Sequence, residues 1–451
     1  MRKPSPVDTE VIIVGAGIAG LYAAYLLQMA DVPFMVLEAH DTWGGRIRSR
    51  REKQSQLGLM LDEGANLINS TDTLAIKLMN RFNISYVRRL TAGSESMRYL
   101  HNRQLYEQDA FDRLLYQDSR TAINHIQHDQ EHWRTEEGQD NNPIYINESI
   151  KSYLDRIDAG PVLRNILKSF FWSEYGREIE NLNLHVLFDY LEIDLEGPCF
   201  KLIPNVDEAY TVPEGTGQIT DALAKTTREH LFFGHWVSRI DDGDGLVRVT
   251  ATDTMGERKQ LVSREIIFGA PLHSLAKIDV SVSGITQEEL AQARAATYAR
   301  GTKLHLKFKS GFEKVYEDRG ILLTDTGEQI WMSSVGQGGA GLLTVLTGPV
   351  PEGDEATQLA ANQIIGMLDG IAPGLRALYV GVERSDAPSS YSGSLRPGEK
   401  AHLTFHEGGP RWISIGEASS SELQGYLEGA LRSAEDGVTR YLLEKRAAKR
   451  G

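Results

Sequence analysis

The stretch from residue 11 to residue 38 constrains the fold of this 451-residue chain more than any other part. Four β-branched residues in a row, Val11 to Val14, predict a strand that is buried on both faces. Gly15 permits a tight turn after this strand, Gly17 allows the close approach of a pyrophosphate, and Gly20 lets the next helix pack closely. Glu38 follows a second apolar strand, where a carboxylate can bind ribose hydroxyls. The stretch therefore predicts a dinucleotide-binding β–α–β unit whose helix N-terminus faces the phosphates.

A second glycine loop follows, formed by Gly44, Gly45 and Arg46. The two glycines bring backbone to the same pyrophosphate, and the guanidinium can pair with it through two hydrogen bonds. Simple nicotinamide dehydrogenases do not need this loop. In this combination the sequence resembles the FAD-dependent amine oxidase family, which includes monoamine, polyamine and L-amino-acid oxidases. In that family the first glycine loop, the ribose glutamate and the Gly-Gly-Arg stretch hold FAD.

The C-terminal part of the chain carries the same resemblance. Gly416 and Glu417 end a short apolar strand, and Gly425 to Ala430 open a long helix, about 370 residues beyond the Gly-Gly-Arg loop. The resemblance implies that this helix directs its N-terminus at the flavin, that Gly64 and Ala65 pass beside the flavin ring, and that Val237 touches the adenine through its backbone. The residues that the resemblance assigns to the cofactor are Gly15, Gly17, Ala19, Gly20, Glu38, Gly44, Gly45, Arg46, Gly64, Ala65, Asn66, Val237, Gly416, Glu417, Tyr426 and Leu427.

Two residues are candidates for catalysis, Lys303 and Tyr426. Residues 302 to 309 alternate between apolar and polar, and this period of two predicts a strand with Lys303 on a solvated face. The resemblance instead matches Lys303 to a family lysine that holds a water near the flavin. It matches Tyr426 to one ring of the aromatic cage around the substrate amine.

The sequence departs from the monoamine oxidases at Tyr391 to Leu395. In those relatives a Tyr-Ser-Gly-Gly-Cys-Tyr run supplies a covalent-flavin cysteine and the second cage tyrosine. Here Ser394 stands in place of the cysteine and Leu395 in place of the tyrosine. We therefore expect FAD to be bound non-covalently and the substrate pocket to be walled by Leu395 and Tyr426. An amino-acid substrate would require an arginine for its carboxylate, and Arg98, Arg103, Arg113 and Arg384 are candidates that match no family motif.

The predicted fold class is α/β, with a Rossmann-type FAD-binding domain of the GR2-like flavoprotein kind. A mixed α+β substrate domain is inserted into it in two segments. We expect the FAD-binding domain to comprise residues 5–85, 208–288 and 390–451, and the substrate-binding domain residues 86–207 and 289–389. Within the second domain, we expect Asn147 to cap a helix that extends through Ile157.

The composition of the chain limits the kinds of partner that the protein can be expected to bind. The net charge of −14 is a poor match for nucleic acid or an anionic membrane surface, and we see neither a signal peptide nor an apolar stretch that could anchor the chain. The single cysteine, Cys199, excludes an intramolecular disulfide, and this fits a cytoplasmic location. His125, His128 and His132 have ligand-like helical spacing, but their polar neighbours favour a solvated face, so no metal site is expected. The sequence leaves a homodimer possible.

These observations predict an oxidase that uses FAD and O2. It converts an amine or L-amino acid to the imine, and thus to a carbonyl compound, with release of hydrogen peroxide. One alternative keeps the fold and acts on C–C bonds, as a desaturase or isomerase of the carotenoid type; Lys303 and Tyr426 speak against it. A second alternative is a flavin-binding module without catalysis, and it is disfavoured because the catalytic positions are filled.

Overall fold

The computed structural model describes residues 7–53, 57–89, 97–133, 135, 147–194, 199–202, 207–283, 285–295, 298, 300–317, 320–388, 411–420, 423 and 425–448. The strands in chain order are β1 Val11–Val14, β2 Phe34–Leu37, β3 Ser49–Arg51, β4 Met60–Asp62, β5 Leu67–Ile68, β6 Val87–Arg88, β7 Met97–His101, β8 Gln104–Tyr106, β9 Leu191–Asp194, β10 Cys199–Leu202, β11 Tyr210–Thr211, β12 Leu231–Phe232, β13 Trp236–Gly243, β14 Leu246–Thr252, β15 Arg258–Ser263, β16 Glu265–Phe268, β17 Asp279–Ser281, β18 Arg300–Phe308, β19 Ile321–Thr324, β20 Glu328–Met332, β21 Gly341–Thr347, β22 Tyr379–Pro388 and β23 Trp412–Ser414.

The α-helices are Ile18–Met29, Thr73–Arg81, Gln108–Trp133, Ile150–Arg156, Pro161–Tyr175, Leu184–Tyr190, Gly217–Thr226, Gln287–Ala295, Asp354–Ile371, Leu375–Leu378 and Leu427–Ala448. Short 3-10 helices are Ile179–Asn181, Arg228–His230, Leu272–Lys277, Phe312–Lys314 and Glu417–Ser419. The helix after residue 147 begins later than expected. Ser149, not Asn147, is its N-cap, because the Ser149 hydroxyl accepts a hydrogen bond from the Ser152 N–H at 3.1 Å. No helix in the described ranges is both long and apolar enough to cross a membrane.

A parallel five-stranded sheet with the order β12-β2-β1-β16-β23 is formed around the first strand. Successive side chains of β1 point to opposite faces, as the geometry of a strand requires. Val11 and Ile13 pack with the helix Ile18–Met29 on one face, and Ile12 and Val14 pack with β13 and β14 on the other. Both faces are therefore covered, as the uninterrupted apolar run of β1 predicted.

A second, mixed sheet of seven strands has the order β22-β18-β21-β20-β19-β7-β8. Leu304 and Leu306 of β18 pack against the helix Asp354–Ile371. The alternate residues Lys303, His305 and Lys307 are also buried, so the expectation of a solvated face was wrong. The helix Pro161–Tyr175 and the segment that contains Glu52 cover this face, and Lys307 forms ion pairs with Glu52 and Glu383 there at 3.6 and 2.8 Å.

Candidate active site

A cavity of about 240 Å³ lies between elements of the parallel sheet and elements of the seven-stranded sheet. It collects residues from many separate parts of the chain, between Ile18 and Ala430. Those that were expected at the site are Gly45, Arg46, Gly64, Ala65, Asn66, Lys303, Glu417, Tyr426 and Leu427. The cavity is large enough to hold part of a flavin or a small substrate.

The first glycine loop adopts the conformation that its residues predicted. Gly15 has a backbone φ of +101°, a conformation that residues other than glycine rarely adopt. A Cβ on Gly20 would lie 2.0 Å from the Gly15 carbonyl oxygen, so only glycine permits the helix to pack this closely. The Glu38 carboxylate accepts hydrogen bonds from the N–H groups of Ala16 and His40 at 2.7 and 2.9 Å, which holds it beside the loop.

The second glycine loop docks on the first. The Gly44 N–H donates to the Ala16 carbonyl at 2.9 Å, and Gly17 and Gly44 form an isolated parallel bridge. Gly45 lies so close to Gly17 that a Cβ on it would be 3.3 Å from the Gly17 Cα atom. Both loops therefore present backbone at one place, as a pyrophosphate site requires.

The space around Gly17 indicates whether these loops can hold a dinucleotide. It is the N-cap of the helix Ile18–Met29, and a Cβ added to it would meet no atom of the described residues within 4 Å. Glycine is thus not needed here to avoid a clash within the protein. Open space in front of a helix N-terminus is what a phosphate group would fill, so the residues fit the cofactor.

Exchange of Gly17 for alanine should leave the fold unchanged and weaken FAD binding at least about tenfold, or about 1.4 kcal/mol. The reason is that the new methyl group projects into the open space rather than into protein. Fluorescence titration with FAD and thermal melting of the FAD-free variant would measure the two effects. An unchanged affinity would show that the space beside Gly17 does not receive the cofactor.

Arg46 and Glu417 are separated by 371 positions in the sequence and form an ion pair at 2.7 Å. Burial of the Glu417 carboxyl opposes its ionisation, but the charge and hydrogen bond of Arg46 outweigh this effect and hold the pKa of Glu417 below its usual value. The pair therefore joins the Gly-Gly-Arg loop to the C-terminal signature at the cavity wall. The resemblance expected both residues at the cofactor, and the structure brings them into contact.

Lys303 lies at the cavity with 6% of its surface exposed. Its Nζ donates to the Gly64 carbonyl oxygen and lies 5.6 Å from the centroid of the Trp331 ring. Burial lowers the pKa of Lys303 to about 8, and the nearby carboxylates of Asp62, Glu174 and Glu208 oppose this decrease. Lys303 therefore carries a proton that it can lose near neutral pH, beside the loop that the resemblance places next to the flavin.

The last helix begins at the cavity, where Gly425, Tyr426 and Leu427 form part of the wall. Its N-terminus can stabilise negative charge in the cavity. Glu428 in the same signature has a different role, since its side chain is fully buried away from the cavity lining. It accepts hydrogen bonds from the N–H groups of Leu74 and Ala75 at 3.1 Å and thereby caps the helix Thr73–Arg81.

Several cavity residues were missed at the level of sequence. Glu174, Glu208, Gln329 and Trp331 all line the cavity. They come from a helix, a loop and a strand whose patterns predict ordinary core or surface positions, and the segments that hold them matched the resembled family only in outline. The Gln329 amide donates to Glu174 Oε1 at 2.5 Å, which orients this carboxylate in the wall.

The remaining expected residues lie elsewhere. Gly15, Gly17, Ala19, Gly20, Glu38, Gly44, Val237 and Gly416 do not line the cavity. Most of them belong to the glycine loops beside it, and Val237 lies in β13, just beyond the His235 N–H that donates to the Glu38 carbonyl at 2.9 Å. The candidate carboxylate ligands Arg98, Arg103, Arg113 and Arg384 are absent from the lining. Leu395 and Ser394 lie outside the described residues.

The chain is similar to known flavoproteins. It is 32% identical to probable polyamine oxidase 4 of Arabidopsis thaliana over 24% of this chain and 20% of that protein, and 22% identical to the L-amino acid dehydrogenase of Synechocystis sp. over 94% and 93%. The matched segments span 20%, 17% and 31% of the first three curated relatives.

The fold is also that of a solved structure, cyclohexylamine oxidase from Brevibacterium oxydans IH-35A. The TM-score is 0.79 at 16% identity, with 97% of this chain and 100% of that chain covered. The expected α/β flavoprotein fold is therefore confirmed. A family model of flavin-containing amine oxidoreductases matches residues 18–440, and the chain belongs to this family.

Proposed function

We propose that the protein is an oxidase that uses non-covalently bound FAD and O2 to convert an amine to an imine, which hydrolyses to a carbonyl compound. The observation that carries the proposal is the buried Lys303 amine, which donates to the Gly64 carbonyl at a cavity that Tyr426 and Leu427 also line. When bound, FAD would supply a two-electron acceptor for a hydride equivalent from the amine carbon, with O2 as the final acceptor and hydrogen peroxide as the product. The proposal includes the two-domain division 5–85, 208–288 and 390–451 against 86–207 and 289–389.

In this proposal the residues of the chain have separate roles. The glycine loops, Glu38 and Arg46 hold the cofactor, and the start of the last helix stabilises negative charge on it. Lys303 holds a proton and a water within the buried site, where its charge also favours reduction of O2 to an anion. Tyr426 provides one aromatic wall for the amine.

The charge of the cavity supports a cationic substrate. Its wall includes the carboxylates Glu63, Asp72, Glu174 and Glu208 in addition to Glu417. Arg46 is paired with Glu417 at 2.7 Å, and Arg48 lies 3.8 Å from Glu63, so the two guanidinium groups in the wall already face carboxylates. These contacts favour an amine over an L-amino acid. The acidic chain and its single cysteine support a cytoplasmic location.

A peroxide-release screen with monoamines, polyamines and L-amino acids tests the proposal. We expect peroxide with at least one amine and bleaching of the flavin by that amine in the absence of O2. Bleaching without peroxide would identify a dehydrogenase, and bleaching by no amine or amino acid would contradict the proposal. Acid precipitation should leave the yellow colour in the supernatant, because Ser394 cannot form a thioether with the flavin.

A further inference from the structure

A buried hydrogen-bond network joins the loop of residues 63–66, which follows β4 and is called the flavin-side loop below, to the seven-stranded sheet. The Trp331 indole Nε1 of β20 donates to Asn66 Oδ1 at 2.7 Å, and the Ser333 hydroxyl lies 3.4 Å from the same oxygen. Trp331 is 5% exposed and Asn66 is 6% exposed. Because both partners are buried, loss of this bond would leave an unpaired polar group, and the bond therefore helps to hold the indole ring in place.

The Asn66 amide is held from its other side as well. Its Nδ2 donates to Asp62 Oδ2 at 2.5 Å. Asp62 accepts further hydrogen bonds from the Thr216 N–H at 2.9 Å, from the Thr216 hydroxyl at 3.0 Å and from the Ser49 hydroxyl. The orientation of the amide is therefore determined, with the oxygen directed at Trp331.

This network ends at the Lys303 amine. Lys303 Nζ lies 5.6 Å from the Trp331 ring centroid and donates to the carbonyl of Gly64, two residues before Asn66. The ammonium group is thus held between a carbonyl of the flavin-side loop and the ring that the same loop orients. Both contacts favour the charged form of the amine in a buried site.

We propose that Asn66 and Trp331 are positioning residues that act through Lys303, by holding its amine in place and in its protonated form. The proposal rests on the function proposed for Lys303. The charged and titratable groups that face the amine are Asp62 on β4, Glu174 on the helix Pro161–Tyr175, Glu208 before β11, and His305 on its own strand. Burial lowers the pKa of His305 to about 3, so this ring stays neutral. The three carboxylates remain in all the variants considered below.

The test is a double-mutant cycle in the flavin-loaded protein. Trp331→Phe keeps an aromatic ring but removes the N–H donor, and it should slow flavin reoxidation by O2 about tenfold when Lys303 is present. With Lys303→Met in the same chain, Trp331→Phe should change the rate less than about twofold. Asn66→Ala keeps the indole, removes its acceptor, and should reproduce the effect of Trp331→Phe. Equal losses in both backgrounds would overturn the proposal.

Trp412→Phe is the matched control. The Trp412 indole is also buried and donates to one side chain, Ser414, at 2.8 Å, but it does not line the cavity. We expect this variant to keep the native rate of flavin reoxidation. A loss equal to that of Trp331→Phe would show that removal of any buried indole donor slows the reaction.

Fluorescence provides a readout that is independent of turnover. The difference between the emission of the native protein and that of Trp331→Phe should titrate with a midpoint near pH 8, because the indole lies next to the Lys303 amine. The midpoint should fall in Asn66→Ala and the titration should vanish in Lys303→Met. An unchanged rate of flavin reoxidation in Lys303→Met would contradict the function proposed for Lys303. A change of tryptophan emission with pH that persists in Lys303→Met would instead contradict the positioning role of Asn66 and Trp331.

Discussion

Lys303→Met should retain its FAD and reoxidise about 100-fold more slowly with O2 than the native protein. The reason is that methionine fills the buried volume but carries no charge to stabilise the anion that forms when O2 is reduced. Burial lowers the pKa of Lys303 to about 8, so the ammonium form is lost as the pH rises through that value. In the native protein, reoxidation should therefore decrease above pH 8, and this dependence should be absent in the variant. Stopped-flow absorbance of the flavin across pH 6 to about 10 measures both effects.

The control for this experiment is Lys309→Met. Lys309 follows β18 on the same alternate side as Lys303 but is exposed to solvent. It should reoxidise at the native rate and with the native pH dependence. Equal rates in Lys303→Met and the native protein would remove Lys303 from the reaction with O2.

The free energy of unfolding should also depend on the ionisation of Lys303, because burial disfavours the charged form of its amine. The pKa of Lys303 is about 8 in the folded protein and 10.5 when the side chain is not buried. Between these two pH values the unfolded chain therefore binds more protons than the folded protein. The free energy of unfolding should accordingly rise with pH from about 8 to 10.5, and Lys303→Met should lose this rise. Urea unfolding at several pH values would measure this rise. A native melting temperature for Lys303→Met would show that its slower reoxidation does not result from a damaged fold.

Gly64→Ala should abolish flavin binding and destabilise the protein by about 3 kcal/mol. A Cβ on Gly64 would lie 1.6 Å from the Arg46 carbonyl oxygen and 2.6 Å from its carbon, and both atoms are backbone. The clash can be relieved only if the Gly-Gly-Arg loop and the flavin-side loop move apart, and both loops line the cavity in which we propose that the flavin binds. Flavin content of the purified variant and its melting temperature measure the result.

Gly370→Ala is the matched control for this substitution. Gly370 is exposed in the helix Asp354–Ile371, and a Cβ there would meet no atom within 4 Å among the residues that the structure describes. Alanine should stabilise this helix by up to about 1 kcal/mol and leave the flavin content unchanged. Native flavin content in Gly64→Ala would contradict the close packing of the two loops.

The first β–α–β unit could be predicted closely because its constraints are local. The helix that was expected between the two strands is observed as Ile18–Met29. A tight turn requires glycine at position 15, and the close approach of the helix to Gly15 requires glycine at position 20. Both constraints act between residues that are near in sequence, so the glycines alone indicate them. The ion pair of Arg46 with Glu417 was not predicted, since the resemblance placed each residue at the cofactor and no local pattern relates positions so far apart.

The polar side of β18 shows where local patterns fail. Alternation correctly predicted which residues share a face, yet it assigned Lys303, His305 and Lys307 to solvent. The helix Pro161–Tyr175 and the segment around Glu52 bury them, and these elements are remote in sequence. Burial of a charged face depends on what packs over it, and the period of a strand carries no information about that.

By itself, the amino-acid sequence predicted the glycine loops and the class of fold, because these depend on glycine geometry and on short-range hydrophobic pattern. Only the tertiary structure decided the environment of Lys303. The Trp331 ring, the Asn66 amide and the carboxylates of Glu174 and Glu208 meet there from separate elements. Their effect on the Lys303 amine comes from distance and burial, which exist only once the two sheets have packed around one cavity.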